Sequence, residues 1–319
     1  MKYALIGSLF ILFSCSQAPK NAPGEPNENS RQDSPYLLVL GNVQDAGSPQ
    51  AGCIKVCCRD LWNHPDSSRM VSSLAFVNPT TDNLVVFDAT PDFSRQLLLA
   101  NTANHHPLNL KGIFLTHAHI GHYTGLMYLG KEAWNTKEVP VYCMPRMFSF
   151  LQNEAPWEAL EKNHNIDLIE MMALNGESPD SNLMVFPIPV PHRDEYSETV
   201  AYIIQSGDKK ALFLPDIDKW EKWELNIDSL IHQVDYAFLD GTFFDGNEVP
   251  NRAIKTIPHP FISESLERFS HLDSVNRNKV WFIHLNHTNP ALNPKSDASK
   301  KIQAAGMHVA RTGDIFNFD

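Results

Sequence analysis

The stretch Ile-Phe-Leu-Thr-His-Ala-His-Ile-Gly-His, residues 113–122, is an apolar run that leads directly into His117, His119 and His122. Because side chains alternate along a strand, His117 and His119 point the same way at a strand end. His122 can turn back toward them if the chain enters a helix there. Three imidazoles in one place are what a transition-metal site needs, so the stretch predicts a metal centre. The alternative is a polar strand-to-helix loop that happens to be rich in histidine.

Short apolar and β-branched runs recur along the chain, and helical patterns separate only some of them. The predicted strands are 36–40, 74–77, 84–87, 112–115, 139–142, 183–188, 200–204, 211–214, 236–239, 280–283 and 308–310. The predicted helices are 93–101, 123–134, 147–154 and 262–271, and a hairpin turn is predicted at 206–209. This pattern predicts an α/β fold with two mixed sheets and helices outside them.

Five of the predicted strands are followed closely by an aspartate or a histidine. These residues are Asp88, His117, His192, Asp216 and His284. Strand ends are rigid positions from which loops present functional groups. The repetition therefore indicates a functional site rather than chance.

This ordered set resembles the metallo-β-lactamase superfamily over essentially all of residues 36–319. The H-x-H-x-x-H core of residues 117–122, followed in order by His192, Asp216 and His284, is the specific part of the resemblance. The resemblance implies an αββα sandwich, in which two mixed β-sheets are flanked by helices.

Two kinds of superfamily member look most similar. Asp45-Ala-Gly-Ser-Pro-Gln with its following cysteines, and the segments 239–244 and 284–290, resemble coenzyme PQQ synthesis protein B. The cysteine-rich N-terminal loop, together with His287 three residues after His284, also resembles the cyclic phosphodiesterase of the phosphonate pathway. Both resemblances imply a metal-dependent protein.

The resemblance assigns the metal ligands. Those of the first ion are His117, His119 and His192. Those of the second ion are His122, Asp216 and His284, with Asp216 bridging. Two divalent ions in this arrangement would activate a bridging water.

Asp88 and Asp216 are the predicted catalytic residues. Asp216 would bridge the two ions, and Asp88 would orient a ligand histidine through the other nitrogen of its ring. Taken alone, Asp88 could equally be a turn residue before Thr90-Pro91.

Gly121 departs from the superfamily pattern, which has an aspartate ligand at this position. Since glycine has no side chain, the second site is expected to have at most His122, Asp216 and His284, or to stay empty. We expect a well-formed first site and a weak or differently built second one. On this interpretation, Gly121→Asp should raise the occupancy of the second site.

Three cysteines lie within six residues, at Cys53, Cys57 and Cys58. With His287 they predict a Cys3His structural zinc site that holds the N-terminal loop beside the active site. The alternative is a disulfide, since export would place these thiols in an oxidising compartment. Cys143 ends an apolar strand and is predicted to be a buried core thiol.

The N-terminus has the pattern of an exported lipoprotein. Residues 1–15 combine Lys2, a short apolar run and a Leu-Phe-Ser-Cys sequence that resembles the bacterial lipobox, which makes Cys15 the predicted lipidation site. Residues 16–34 are polar and rich in proline and asparagine, which predicts a disordered tether to a domain at 35–319. By resemblance to sorted lipoproteins, Ser16 after the cysteine favours the outer membrane, if the source has one.

The net charge of −11, without a basic run, argues against nucleic-acid binding and is compatible with a small-molecule or peptide substrate. The first functional hypothesis is an exported metal-dependent hydrolase with one or two zinc ions at its active site and one structural zinc. The second is an iron-dependent oxygenase. The third is a non-catalytic metal- or ligand-binding lipoprotein, which Gly121 favours.

Overall fold

The computed structural model of the protein describes residues 32–250 and 253–318, so Cys15 and most of the predicted tether lie outside the described residues. In this part of the chain the strands form two seven-stranded sheets. The strands are β1 Tyr36–Gly41, β2 Ser73–Asn78, β3 Asn83–Phe87, β4 Asn109–Phe114, β5 Val139–Cys143, β6 Ile166–Glu170, β7 Glu177–Asp180, β8 Leu183–Pro189, β9 Val200–Ser206, β10 Lys209–Leu214, β11 Tyr236–Asp240, β12 Val280–Ile283, β13 His308–Val309 and β14 Ile315–Asn317.

Both sheets are mixed, as predicted. The first has the order β14-β1-β2-β3-β4-β5-β6 and the second the order β13-β12-β11-β10-β9-β8-β7. The strands β3 to β6 run parallel, and so do β10 to β13. The predicted hairpin joins β9 to β10, with Ser206 paired to Lys209.

Most of the nine α-helices in the described residues lie on the outer faces of the two sheets. The nine are α1 Val56–Arg59, α2 Phe93–Asn104, α3 Ile120–Tyr123, α4 Pro145–Asn153, α5 Glu158–Lys162, α6 Ile227–Gln233, α7 Ile262–Arg268, α8 Ser274–Asn278 and α9 Asp297–Ala304. Apolar residues of α2, α4 and α5 pack on the first sheet, and those of α6, α7 and α9 pack on the second. None of the helices in 32–250 and 253–318 has the length and apolar character needed to cross a bilayer.

Strand β1 shows why the central strands read as unbroken apolar runs. Leu38 and Leu40 face the helices, while Leu37 and Val39 face the second sheet. Because successive side chains point to opposite faces, a strand buried on both sides needs an apolar residue at every position. The structure is therefore the predicted αββα sandwich.

The region after the histidine stretch differs from the prediction. Instead of one helix over 123–134, the short helix α3 ends at Tyr123 and continues as a 3-10 turn over Thr124–Leu129. Gly125 packs so closely on the backbone of residues 89–90 that an added Cβ would lie 2.2 Å from the Thr90 carbonyl oxygen. This tight contact holds the turn against the loop that carries Asp88.

The ends of the parallel strands place chemically active residues on one side of the sandwich. Asp88 follows β3, His117 follows β4, Asp216 follows β10 and His284 follows β12. Asp88 and His284 have φ of 68° and 64°, in the left-handed region that side-chain-bearing residues seldom adopt. Backbone strain of this kind is typical of functional sites, where the surrounding structure maintains it.

Candidate metal centre

The structure brings the three predicted ligands of the first ion together with Asp216. His117, His119, His192 and Asp216 each offer a ligand atom, and these atoms lie within 4.8 Å of one another. His117 Nε2 is 2.8 Å from His119 Nδ1, and His192 Nε2 is 3.4 Å from Asp216 Oδ1. Three imidazoles and a carboxylate form a donor set that suits zinc.

His192 provides a test of whether these residues fit a metal ion. Its side chain is fully buried, yet neither ring nitrogen forms a hydrogen bond within the described part of the chain. Buried polar atoms are almost always partnered. A metal ion bound to His192 Nε2 would supply a partner for that nitrogen, so the first group fits the ion that the fold implies.

The second group contains one ligand more than the sequence predicted. His122, Asp216 and His284 are joined by Asp45, again with ligand atoms within 4.8 Å of one another. Asp45 Oδ1 lies 3.0 Å from His122 Nε2 and 2.9 Å from His284 Nε2. The sequence prediction of at most three ligands did not include Asp45, because this fourth candidate comes from a loop distant in sequence.

Asp88 makes the contact that was predicted for it. His122 Nδ1 donates a 2.7 Å hydrogen bond to Asp88 Oδ2, so that in the neutral ring the lone pair is on Nε2, which faces Asp45. The backbone N–H of Thr116 donates to the other carboxylate oxygen of Asp88 at 2.8 Å. Asp88 is fully buried and contacts the ligands without joining either group.

Two threonines orient further ligands in the same way. Thr116 Oγ1 donates to Asp88 and accepts from His117 Nδ1 at 3.0 Å. In the second sheet, Thr242 Oγ1 donates to Asp240 at 2.7 Å and accepts from His284 Nδ1 at 2.9 Å. Each Asp–Thr pair thereby fixes one ring so that its Nε2 points into the centre.

His259 is a component that sequence analysis did not assign to the site. It is buried, its Nδ1 donates to Asp240 Oδ2 at 2.8 Å, and the same nitrogen lies 3.1 Å from Asp216 Oδ1. Burial alone would lower the pKa of His259, but the carboxylates of Asp240 and Asp216 outweigh it and raise the pKa to about 10. The resulting cation lies beside Oδ1 of Asp216, whereas His117 Nε2 approaches Oδ2.

The pKa values of His117 and His192 in the first group are shifted in the opposite direction from that of His122 in the second. Burial, together with the charge of His122, holds the pKa of His117 well below its ordinary value, and burial also lowers the pKa of His192. For His122 burial acts in the same direction, but the carboxylates of Asp88 and Asp45 outweigh it and hold the pKa well above 6.5. Near neutral pH His117 and His192 are therefore neutral and able to bind an ion, while His122 must first lose a proton.

The cysteine cluster is assembled as predicted. Cys53, Cys57, Cys58 and His287 have ligand atoms within 4.8 Å of one another. The Cys53–Cys57 and Cys57–Cys58 sulfur distances are both 3.9 Å, and all three thiols are free. Zn–S bonds of about 2.3 Å place the sulfurs of a tetrahedral site about 3.8 Å apart, so the cluster has the dimensions of a zinc site rather than a disulfide. Cys143 is buried in the core, as predicted.

The beta-lactamase superfamily domain matches residues 83–285, so the chain belongs to the beta-lactamase superfamily. Coenzyme PQQ synthesis protein B of Acinetobacter baumannii is 24% identical over 308 residues, with 87% of this chain and 98% of that protein covered. The same protein of Nitrosococcus oceani is 26% identical over 315 residues, with the same shares covered. The predicted resemblance to proteins of this kind is confirmed.

Solved structures show the same fold. Zn2+-bound PqqB from Methylobacterium extorquens has a TM-score of 0.74 at 20% identity, covering 88% of this chain and 99% of its own. A diphosphatase from the PhnP family has a TM-score of 0.61 at 20% identity, covering 89% and 97%. The short form of human tRNase Z has a TM-score of 0.54 at 14% identity, covering 89% and 99%. The zinc-bound relative and the His/Asp groups together support zinc binding.

Proposed function

We propose that the protein is a metal-dependent hydrolase that activates water between two divalent ions, with zinc as the expected metal. The position of Asp216 carries the proposal. Its Oδ2 lies 3.5 Å from His117 Nε2 in the first group and 3.8 Å from His284 Nε2 in the second. Two ions bound there would lower the pKa of a shared water and stabilise negative charge on the attacked centre.

The chain itself contributes orientation and charge. Asp88, Thr116 and Thr242 fix the ligand rings, while His259 holds the bridging carboxylate. Histidines 192, 284 and 259 outweigh the effect of burial on Asp216 and hold its pKa well below the ordinary value, so this carboxylate stays ionised. Two metal ions that share one water require a fixed, ionised carboxylate between their ligand groups.

A cavity beside the centre is a candidate substrate site. It has a volume of about 430 Å³ and is lined by Gln44, Arg193, Phe243, Thr256, Ile257, Pro258 and His259. Arg193 adjoins the ligand His192 in sequence and brings a cation to the wall of the cavity. A guanidinium suits a phosphate or carboxylate group. We therefore propose a small anionic ester, most simply a phosphodiester, as the substrate class.

The diphosphatase and the tRNase among the structural relatives support hydrolysis as the reaction class. The test is hydrolysis of bis(p-nitrophenyl) phosphate and p-nitrophenyl acetate by zinc-loaded protein, with Asp216→Asn as the inactive reference. Arg193→Gln should raise KM for the phosphodiester about 10-fold, the equivalent of one charge-assisted hydrogen bond, and leave the neutral ester unchanged. Turnover no faster than that of Asp216→Asn on either substrate would contradict the proposal and favour a binding protein.

Iron-dependent oxygenation is the second candidate. Three imidazoles with a carboxylate also suit iron, so the donor set of the first group supports this possibility as well. The metal that copurifies separates the two candidates. Iron at the histidines together with oxygen consumption would favour the oxygenase.

We also propose that the protein is exported and anchored to a membrane through a lipid on Cys15. The support is the sequence pattern of residues 1–15 described above. Radiolabelled palmitate should be incorporated into the full chain and should not be incorporated into a Cys15→Ala variant. Equal labelling of the two chains would rule out Cys15 as the lipidation site.

A further inference from the structure

Gly121 and Asp45 occupy one space between two chain segments. A Cβ added at Gly121 would lie 2.4 Å from Asp45 Cα and 2.7 Å from both Asp45 Cβ and Cγ. Real Cβ atoms do not approach other heavy atoms so closely. Gly121 lies within helix α3, so its backbone conformation does not require glycine. The requirement comes from Asp45, whose Cα and side chain both lie where the Cβ of a larger residue at position 121 would be.

Asp45 is held in this position by its neighbours. The backbone N–H of Gln44 donates to the Leu285 carbonyl at 2.9 Å, and Val43 pairs with Leu285 and with Val71. The Gly47 N–H donates to the Gln44 carbonyl at 2.8 Å, which closes a turn around Asp45. The loop is therefore fixed beside His284 before any ion is considered.

The carboxylate of Asp45 points at the two histidines of the second group. Its Oδ1 is 3.0 Å from His122 Nε2 and 2.9 Å from His284 Nε2, and the side chain is only 14% exposed. A single carboxylate oxygen that faces two imidazole nitrogens in a nearly closed site has the position of a ligand on a shared ion.

We propose that Asp45 is a direct ligand of the second metal ion and that Gly121 is the space this ligand needs, so that the two positions work as one unit. This rests on the two-ion centre proposed above and adds to it the source of the second-site carboxylate. Sequence analysis predicted that Gly121→Asp raises the occupancy of the second site, and this proposal predicts that it lowers it. The new side chain would collide with Asp45 instead of completing the site.

The test compares bound zinc in wild type, Asp45→Asn, Gly121→Ala and Gly121→Asp. Zinc is counted per chain by elemental mass spectrometry, and second-site affinity is measured by competition with a chromophoric chelator. Asp45→Asn keeps the shape of the side chain, and thermal melting reports whether each variant is folded. Asp60→Asn is the matched control, because Asp60 is exposed on the same loop region and pairs only with Arg59 within the described residues.

Asp45→Asn should lower second-site affinity by more than about 100-fold, since loss of an outer partner alone costs about 10- to 100-fold. Gly121→Ala and Gly121→Asp should both weaken binding of the same ion, because any Cβ at this position displaces Asp45, and Asp60→Asn should match wild type. If Asp45→Asn keeps the full zinc count and affinity, Asp45 is not a ligand, while the two-ion hydrolase stands. If the wild type binds no second ion, both the assignment of Asp45 as a ligand and the two-ion hydrolase are overturned. Full zinc binding without turnover overturns the hydrolase alone.

Discussion

Asp88 Oδ2 lies 2.7 Å from His122 Nδ1, and both side chains are fully buried. The contact sets which nitrogen of His122 carries the proton and so which one can bind an ion. Because Asp88 contacts His122 directly and His117 only through Thr116, its effect on metal binding should be larger at the second site than at the first.

Replacing Asp88 by asparagine should weaken zinc at the second site about 10- to 100-fold, as loss of a partner that orients a ligand does. The asparagine side chain has one oxygen, which accepts, and one NH2 group, which only donates. If the oxygen accepts from His122, the NH2 group faces the N–H of Thr116, and in the other orientation it faces His122. An unpaired buried donor should also lower the free energy of unfolding by about 1–3 kcal/mol. Chelator competition and urea unfolding measure the two effects.

Asp273→Asn is the control for that experiment. Asp273 caps helix α8 by accepting from the Asn276 N–H, and asparagine caps a helix equally well. A similar loss of zinc in both variants would mean that the effect is not specific to Asp88.

His117→Ala should remove the ion of the first site and leave the second ion and the cysteine-bound ion in place. His117 is buried and contacts both His119 and Asp216. Asp45 and His284 of the second group contact each other. Elemental mass spectrometry measures the number of zinc ions per chain. His164→Ala, at an exposed position, is the matched control. An unchanged count in His117→Ala would refute the assignment of the first site.

Zinc binding at the second site should release protons. The pKa of His122 is raised, so the ring is protonated near neutral pH and must lose its proton before Nε2 can bind an ion. The pKa values of His117 and His192 are lowered, so these rings are already neutral. Second-site affinity should therefore strengthen as pH rises from about 6 to about 8, and first-site affinity should change less over this interval.

Calorimetric titration with zinc in buffers of different ionisation enthalpy measures this proton release. The His117→Ala variant is used to measure the second site without the first. The Asp45→Asn variant is used to measure the first site with the second weakened. Equal pH dependence in the two variants would contradict the division between the ligand groups.

Cys58→Ser should remove the cysteine-bound ion and lower the stability of the domain by several kcal/mol, because the binding energy of a structural zinc is also folding energy. Burial raises the pKa of the Cys58 thiol to about 12, so a metal-free cluster keeps this thiol protonated. Cys143→Ala is the control, since that buried thiol belongs to the core and not to the cluster. Unchanged zinc content and melting in Cys58→Ser would exclude a structural site.

The sequence predicted the sandwich because its central strands are apolar on both faces. In β1 the alternation of Leu37 and Leu38 between the two core layers leaves no polar position, and such a run is recognisable without a structure. Strands β6, β7 and β14 were missed because they are short and partly exposed. The apolar pattern of a segment identifies strands that are buried along their whole length. It misses strands that form mainly because they pair with a neighbouring strand.

The centre was predicted only where its ligands follow a strand. His117 and Asp216 could be found in this way, but Asp45 could not, since it lies in a loop 77 residues before His122. Glycine at position 121 showed that a carboxylate was missing, yet only the folded chain shows which residue fills the space. His259 was overlooked for a similar reason, because its importance comes from Asp240, which lies 19 residues away in sequence.

The order of the ligands along the chain has a consequence for synthesis. Asp45 is made early, whereas His284 follows 239 residues later, and the cysteine cluster also waits for His287. A nascent chain that ends before β12 can complete neither the second site nor the cysteine site, so these ions cannot guide the first steps of folding. On the proposed assignment both ions would bind only when the last parallel strands join the second sheet, and metal content would then distinguish finished molecules from truncated ones.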